Sequence, residues 1–229
     1  MNERDVTLKT VVAGREVLAP GYDLPRHRHL HPYAIVVIRG SFEQVSYAGR
    51  IRVTAGQLLI QPPLDCHANQ LVSPGAEILR LAWPDVAGLG GVHTLADLDA
   101  IVRAAERDLH EAHHLARAGA GRRLHPRTDL PDELARALVA GEVTSLRAWS
   151  QQRGLARETV ARAFRSAYGV DARRFRAELA ARAAWLQITT TKTSLAEIAL
   201  ATAFADQAHM TRSVRAHTGL PPARWRASS

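Results

Sequence analysis

Three histidines stand at alternate positions, His27, His29 and His31, and His67 follows further along the chain. On an extended strand a period of two puts these three on one face and Arg26 and Arg28 on the other. Imidazole is the commonest protein ligand for Zn, Fe or Ni, so His27 and His29, joined by His67 from a second strand, make a candidate metal site. His31 and Tyr33 are candidates for an adjoining effector pocket. Cys66, next to His67, faces the other way in a regular strand and is a poor ligand candidate. His110 and His114 lie four apart on a helical pattern, the spacing of a second metal pair, although a solvated helix face is the simpler reading.

A different chemistry occupies the other end. Glu142–Ser229 holds 14 Lys/Arg against 6 Asp/Glu, whereas the residues before it hold 16 of each, so the whole net charge of +8 lies in one segment. A charge excess confined in this way marks where a polyanion docks. Within it, Arg157, Glu158, Arg162 and Arg165 fall on the polar face of one short helical pattern. Gln207, His209, Thr211, Arg212 and Arg215 fall on the polar face of another. Arg pairs bidentately with guanine and Gln with adenine, and all of these can bond phosphate.

Positioning these side chains requires two kinds of element. From residue 6 to residue 83, short runs rich in Val, Ile and Leu alternate with Gly and Pro signals: Ala34–Ile38, Phe42–Tyr47, Arg50–Thr54, Gln57–Gln61, Cys66–Val72 and Glu77–Trp83. Closely spaced short strands predict an antiparallel barrel or sandwich. Near Thr94 the period changes. Leu95, Leu98, Ile101, Val102, Ala105, Leu109 and Ala112 predict one amphipathic helix ending at Gly119 and Gly121. Its apolar stripe needs a partner, which is the barrel, the shorter helix that follows or, as the favoured reading, the same helix of a second subunit. A shorter helix is expected from Pro131 to Gly141, after a flexible connection at Gly119–Thr128. Beyond Val143 the pattern is helical throughout. Leu146, Trp149, Leu155, Val160 and Phe164 form one small core, and Leu195, Ile198, Phe204, Met210 and Val214 another. Each core supports a helix-turn-helix, in which the second helix enters the major groove.

The stretch Ser145–Arg226 resembles the AraC/XylS transcription regulators. The resemblance is carried by Leu155–Arg165 (LARETVARAFR), Tyr168-Gly169, Ser194–Ala199 (SLAEIA), Phe204–Arg212 (FADQAHMTR) and Gly219–Arg226 (GLPPARWR). It implies that Glu158, Ala161 and Arg162 of the first recognition helix face bases. In the second, Gln207, Ala208, His209, Thr211 and Arg212 do so. Ala161 and Ala208 offer only a methyl group there. Ala203 stands where the family usually has Gly, Ala156 replaces a Ser cap and Met210 replaces Phe. At the front, Gly21-x5-His27-x-His29-x3-Tyr33-x6-Gly40 is similar to the first cupin motif, with Tyr33 in the place of Glu. Gly56-x5-Pro62-x4-His67 is similar to the second, with Leu64 in the place of Gly. The front half therefore looks like the effector-binding barrels of that regulator family.

Composition closes other routes. With Cys66 the sole cysteine there is no internal disulfide, and the longest apolar runs are too short to span a bilayer. A soluble, cytoplasmic protein is expected. The expected fold is two-domain, β + α: a cupin-like barrel over 1–90, connecting or dimerisation helices and a linker over 91–141, and an all-α tandem helix-turn-helix domain over 142–229. The expected function is a sequence-specific, non-enzymatic transcription regulator, a homodimer on double-stranded promoter DNA, controlled by a small molecule or a divalent metal such as Zn, Ni or Fe. The alternative is a metal- or small-molecule-binding cupin, with oxygenase chemistry open to its histidines, whose DNA module is vestigial.

Overall fold

A computed structural model describes residues 7–84 and 90–227. The chain forms two compact units, one of Lys9–Thr128 and one built on Asp129–Ser229. The segment 91–141, expected as a separate connector, is divided between them. Its first strands and helices belong to the front unit, and its last helix belongs to the back unit.

The strands of the front are β1 (Thr7–Lys9), β2 (Gly14–Leu18), β3 (Asp23–His29), β4 (Tyr33–Ser46), β5 (Gly49–Thr54), β6 (Gln57–Gln61), β7 (His67–Ala82), β8 (Gly91–Leu95) and β9 (Ala120–Arg123). They pair in the order β1-β3-β7-β4-β6-β8-β9, with β2 also on β7 and β5 also on β4. This path is open at both ends, so the expected barrel closes no hydrogen-bonded ring among the described residues. The four runs 34–38, 42–47, 66–72 and 77–83, expected as separate strands, merge into the long pair β4 and β7. Gly40 did not end a strand. It takes φ +73° at a register shift in the β4–β7 ladder, and a Cβ there would lie 2.0 Å from the Gly75 carbonyl oxygen. A side chain at Gly40 would not let the two strands pass so closely.

Strand alternation gives the sheet two apolar faces. Tyr33, Ile35, Val37, Phe42, Leu59 and Ile78 pack on one, and Ala34, Val36, Leu58, Ile60, Leu79 and Leu81 on the other. The second face is covered by α1 (Leu98–Ala105) and α2 (Leu109–Ala118) through Ile101, Ala104, Ala112 and Ala116. The single helix expected here is broken because Asp108 leaves helical geometry and caps α2, accepting from the His110 amide at 2.8 Å. The apolar stripe assigned to a second subunit is thus buried against this chain's own sheet. Gly119–Arg123, expected as a flexible connection, continues into β9, which pairs with β8.

The back unit is all helical: α3 (Leu130–Val139), α4 (Leu146–Gln151), α5 (Arg157–Tyr168), α6 (Ala172–Thr190), α7 (Leu195–Ala201), α8 (Gln207–Thr218) and α9 (Pro222–Ala227). α5 and α8 are each 12 residues long, and both end on a left-handed glycine, Gly169 and Gly219. The apolar positions keep the same register: Val160, Phe164 and Tyr168 are buried in α5, Met210, Val214 and Thr218 in α8. The 19-residue α6 between the pairs spans about 28 Å at 1.5 Å per residue. No helix among the described residues is long and apolar enough to cross a membrane.

Candidate functional site

In the front unit, β3 and β7 bring His27 and His67 opposite each other as cross-strand partners, with ring centroids 4.3 Å apart. His29, two residues along β3, joins them: one ring nitrogen from each of the three lies within 4.8 Å of the others. All three side chains are buried. Each Nδ1 faces a backbone carbonyl, His27 to Pro25 at 2.8 Å, His29 to Lys9 at 2.8 Å and His67 to Asp65 at 2.9 Å. A carbonyl can only accept, so each Nδ1 carries the proton and each Nε2 keeps its lone pair. That is the tautomer a metal-binding histidine needs, held by the backbone bond that usually orients such a ligand. The Tyr33 hydroxyl donates to His67 Nε2 at 3.1 Å.

Burial also sets the charge. Desolvation pushes His27 down to about 4, lowers His29, and holds His67 well below the ordinary imidazole range. The three rings are therefore neutral near pH 7, the form that ligates. Burial, reinforced by the Asp65 charge, raises Tyr33, so its hydroxyl stays protonated and remains a donor.

A cavity of about 450 Å³ opens beside this wall, lined in part by His27, His29, Tyr33, Tyr22, Asn69 and Arg80. Arg80 is paired with Glu16. Asn69 is buried, yet its Oδ1 has no hydrogen-bond partner. An orphaned acceptor on a cavity wall is costly unless a ligand or water supplies the donor.

His31 departs from the sequence reading. β3 ends at His29, so the period of two stops there, and His31 sits exposed in the turn before β4, away from the buried cluster. Cys66 is buried but outside the cluster, consistent with its position one residue from His67. Sequence reasoning missed Asn69 and His113, each of which stands out only through a buried polar atom without a hydrogen-bond partner.

In the back unit the candidate DNA-facing residues lie as spaced. Arg157, Glu158, Arg162 and Arg165 are exposed on α5, with Ala161 half-buried between them. Gln207, Ala208, His209, Arg212 and Arg215 are exposed on α8, with Thr211 half-buried. The buried face of α5 is locked by an aromatic cluster: Phe164 stacks on Tyr168 at 4.6 Å and meets Phe175 of α6 edge-on at 5.4 Å. α8 is held through Thr218, whose Oγ1 accepts from the Trp225 indole at 2.7 Å. At its start, the Asp206 carboxylate caps α8 by accepting from the His209 amide at 2.6 Å. α7 begins with a full capping box, Ser194 with Glu197.

The electrostatic feature is what the arginines lack. Arg157 lies 3.7 Å from Glu158, a contact between two exposed neighbours. Arg162, Arg165, Arg212 and Arg215 make no ion pair and no side-chain hydrogen bond among the described residues. Four solvated guanidinium groups at matching positions of two helices, with no carboxylate partner, form a surface ready for phosphates and base edges. The sequence did not show that α3 belongs here. Its buried Asp132 accepts a 2.7 Å hydrogen bond from Tyr168 at the end of α5.

Residues 149–228 match the family model described as a helix-turn-helix domain. No curated protein matches the chain. Among solved structures it is similar to an AraC-type regulator from Chromobacterium violaceum, at 24% identity over 43% of this chain and 90% of that one, TM-score 0.40. It is also similar to a probable AraC family transcriptional regulator from Rhodopseudomonas palustris, at 16% identity over 44% and 97%, TM-score 0.41. ToxT from Vibrio cholerae aligns over 94% of this chain and 97% of its own, at 9% identity and TM-score 0.42. The matched span takes in both helix-turn-helix units and the exposed arginines of their second helices, so the back unit carries a helix-turn-helix domain.

Proposed function

We propose that this chain is a DNA-binding transcription regulator of the AraC type, controlled by an effector bound in the front unit, at the cavity walled by His27, His29 and Tyr33, with a divalent transition metal held by His27, His29 and His67. The observation that carries the reading is the set of three buried imidazoles whose Nδ1 atoms are all tied to backbone carbonyls. A purely structural cluster has no need to hold three such imidazoles with a ring nitrogen of each within 4.8 Å of the others. Neutral imidazoles without a carboxylate suit Zn, Ni or Fe(II) rather than Mg or Ca. When bound, the cation supplies a Lewis-acidic centre beside the cavity. The chain's own groups orient a ligand: Asn69 Oδ1 accepts from it, and Tyr33 donates or yields its place on His67.

On the DNA side, Arg162 and Arg212 read bases from adjacent major grooves, while Arg157, Arg165 and Arg215 hold phosphates. Effector control requires that the ligand bind two states of the protein with different affinity. The test uses full-length, tag-free protein. Metal content is measured by elemental analysis, and DNA affinity is then compared with and without Zn, Ni or Fe(II). A metal that binds at one per chain and shifts DNA affinity several-fold supports the reading. Failure of every metal and of the stripped protein to differ on DNA counts against control through this site.

A further inference from the structure

We infer that α2 carries a second metal site, on the outside of the front unit, formed by His110, His113 and His114. The inference is independent of the buried three-histidine wall. His110 Nε2 and His114 Nε2 lie 2.9 Å apart, with their rings edge-on at 88°. Two nitrogens each about 2.05 Å from one cation and at a right angle to each other stand about 2.9 Å apart; at a tetrahedral angle they stand about 3.4 Å apart. The pair therefore already has the separation of neighbouring ligands on one ion. In the hydrogen-bonded pair one Nε2 carries its proton and donates to the other, and a cation takes both lone pairs once that proton has moved to Nδ1 of the same ring.

His113 supplies a third nitrogen. One ring nitrogen from each of the three residues lies within 4.8 Å of the others. Its ring is buried edge-on against Trp83, 4.7 Å between centroids, and its Nε2 has no hydrogen-bond partner. A histidine anchored on the sheet core by one face, beside two solvent-exposed histidines one turn apart, is a rigid third donor next to two adjustable ones. Solvation accounts for His110 and His114 as exposed residues, but not for a buried, unpartnered imidazole beside them. The donor set is all imidazole, because Glu111 of the same helix is engaged by Arg107 at 3.5 Å. That selects a late first-row divalent ion, Co, Ni, Cu or Zn, with water completing the coordination, and disfavours Mg and Ca. An ion held there ties the first turns of α2 to the sheet through His113 and Trp83.

The test titrates tag-free, metal-stripped full chain with Co(II), followed by visible ligand-field absorption, and with Zn(II) by equilibrium dialysis. His110→Gln and His114→Gln alter exposed side chains. Each is expected to remove one equivalent of metal, or weaken it at least tenfold, while His125→Gln leaves binding as in the unaltered chain. Hydrogen exchange of the unaltered protein with and without Zn(II) locates the ion without any substitution. Added protection across residues 109–118 is the expected result. The inference is overturned if both variants bind as the parent does, or if Zn(II) protects only the segments holding His27, His29 and His67.

Discussion

The hydroxyl of Tyr168, the last residue of α5, donates to the carboxylate of Asp132 on α3 across 2.7 Å of fully buried space. This bond ties the end of the first recognition helix to a helix that precedes the matched helix-turn-helix span. Tyr168 also stacks on Phe164 and meets Phe175 edge-on at 5.4 Å, so one ring fixes both ends of the contact. The placement of α5 therefore depends on residues from 130 onward. Tyr168→Phe leaves the buried carboxylate short of a donor and is expected to cost about 1–3 kcal/mol. Asp132→Ala should cost a similar amount, and the double variant less than the sum of the two. Urea unfolding followed by tryptophan emission checks this, since Trp149, Trp185 and Trp225 all lie in the back unit. Additive losses would mean that the bond contributes nothing of its own.

Two positions where the family resemblances called for Gly, Leu64 and Ala203, are the two non-glycine residues with left-handed backbone among those described, at φ +56° and +60°. Both turns adopt the backbone that glycine favours without having glycine there. For Ala203, exposed at the end of α7, the left-handed conformation costs about 1–2 kcal/mol, partly offset by glycine's larger entropy when unfolded. Ala203→Gly should stabilise the back unit by roughly 0.5–1 kcal/mol. Leu64 is fully buried, and losing its side chain forfeits roughly 2–3 kcal/mol of apolar burial, so Leu64→Gly should destabilise. Thermal unfolding of both variants gives the signs, and a destabilised Ala203→Gly would refute the strain argument.

A third stability change follows from a missing cap. Ala156 sits at the N-cap of α5 with extended backbone and no side-chain bond to the helix, whereas Asp206 caps α8. Ala156→Ser should restore an acceptor and add about 1 kcal/mol. Unfolding midpoints of the variant and the parent decide it, and an unchanged midpoint would mean that water already satisfies the first turn of α5.

These cases also show what the sequence could convey. Helical periods and caps are local, so the helices of the back unit were legible from spacing alone, as were the exposed positions of Arg162 and Arg212. The strands were legible as strands but not in their extent. Gly40 and Pro74-Gly75 read as breaks, and only the close passage of β4 and β7 turns them into a bulge within two long strands. The apolar period from Leu95 onward survives the interruption at Asp108, so spacing alone predicts one continuous helix. Nothing local says which surface covers its stripe, so the sequence does not distinguish this chain's sheet from a second subunit. The period of two that joins His27 and His29 stops at His29, before His31. His113 has no local signal, because its buried nitrogen beside Trp83 is a tertiary fact.

The buried histidines predict a pH dependence. In the folded protein desolvation lowers His27 from 6.5 to about 4, with His29 and His67 shifted the same way. Between those values the unfolded chain takes up protons that the folded one does not, so the stabilisation is complete above pH 6.5 and is lost as pH falls toward 4. Each such group contributes at most about 1.4 kcal/mol per pH unit. Calorimetric melting of metal-free protein from pH 7.5 to 4.5 should show the front unit melting progressively earlier. A front unit equally stable at both ends of that range would contradict neutral burial of the cluster.

Competition binding decides whether the two matched cationic helices, α5 and α8, read DNA sequence. The full chain is equilibrated at 150 mM salt with a duplex selected from a random pool and challenged with scrambled duplex. The parent should prefer its selected site by about 10³-fold or more. Arg162→Ala and Arg212→Ala should each lower that preference by roughly 5- to 150-fold, each at a different segment of the site, as expected for lost base contacts of about 1–3 kcal/mol. Equal binding to selected and scrambled duplex, or variants that keep the full preference, would mean that α5 and α8 do not read base sequence.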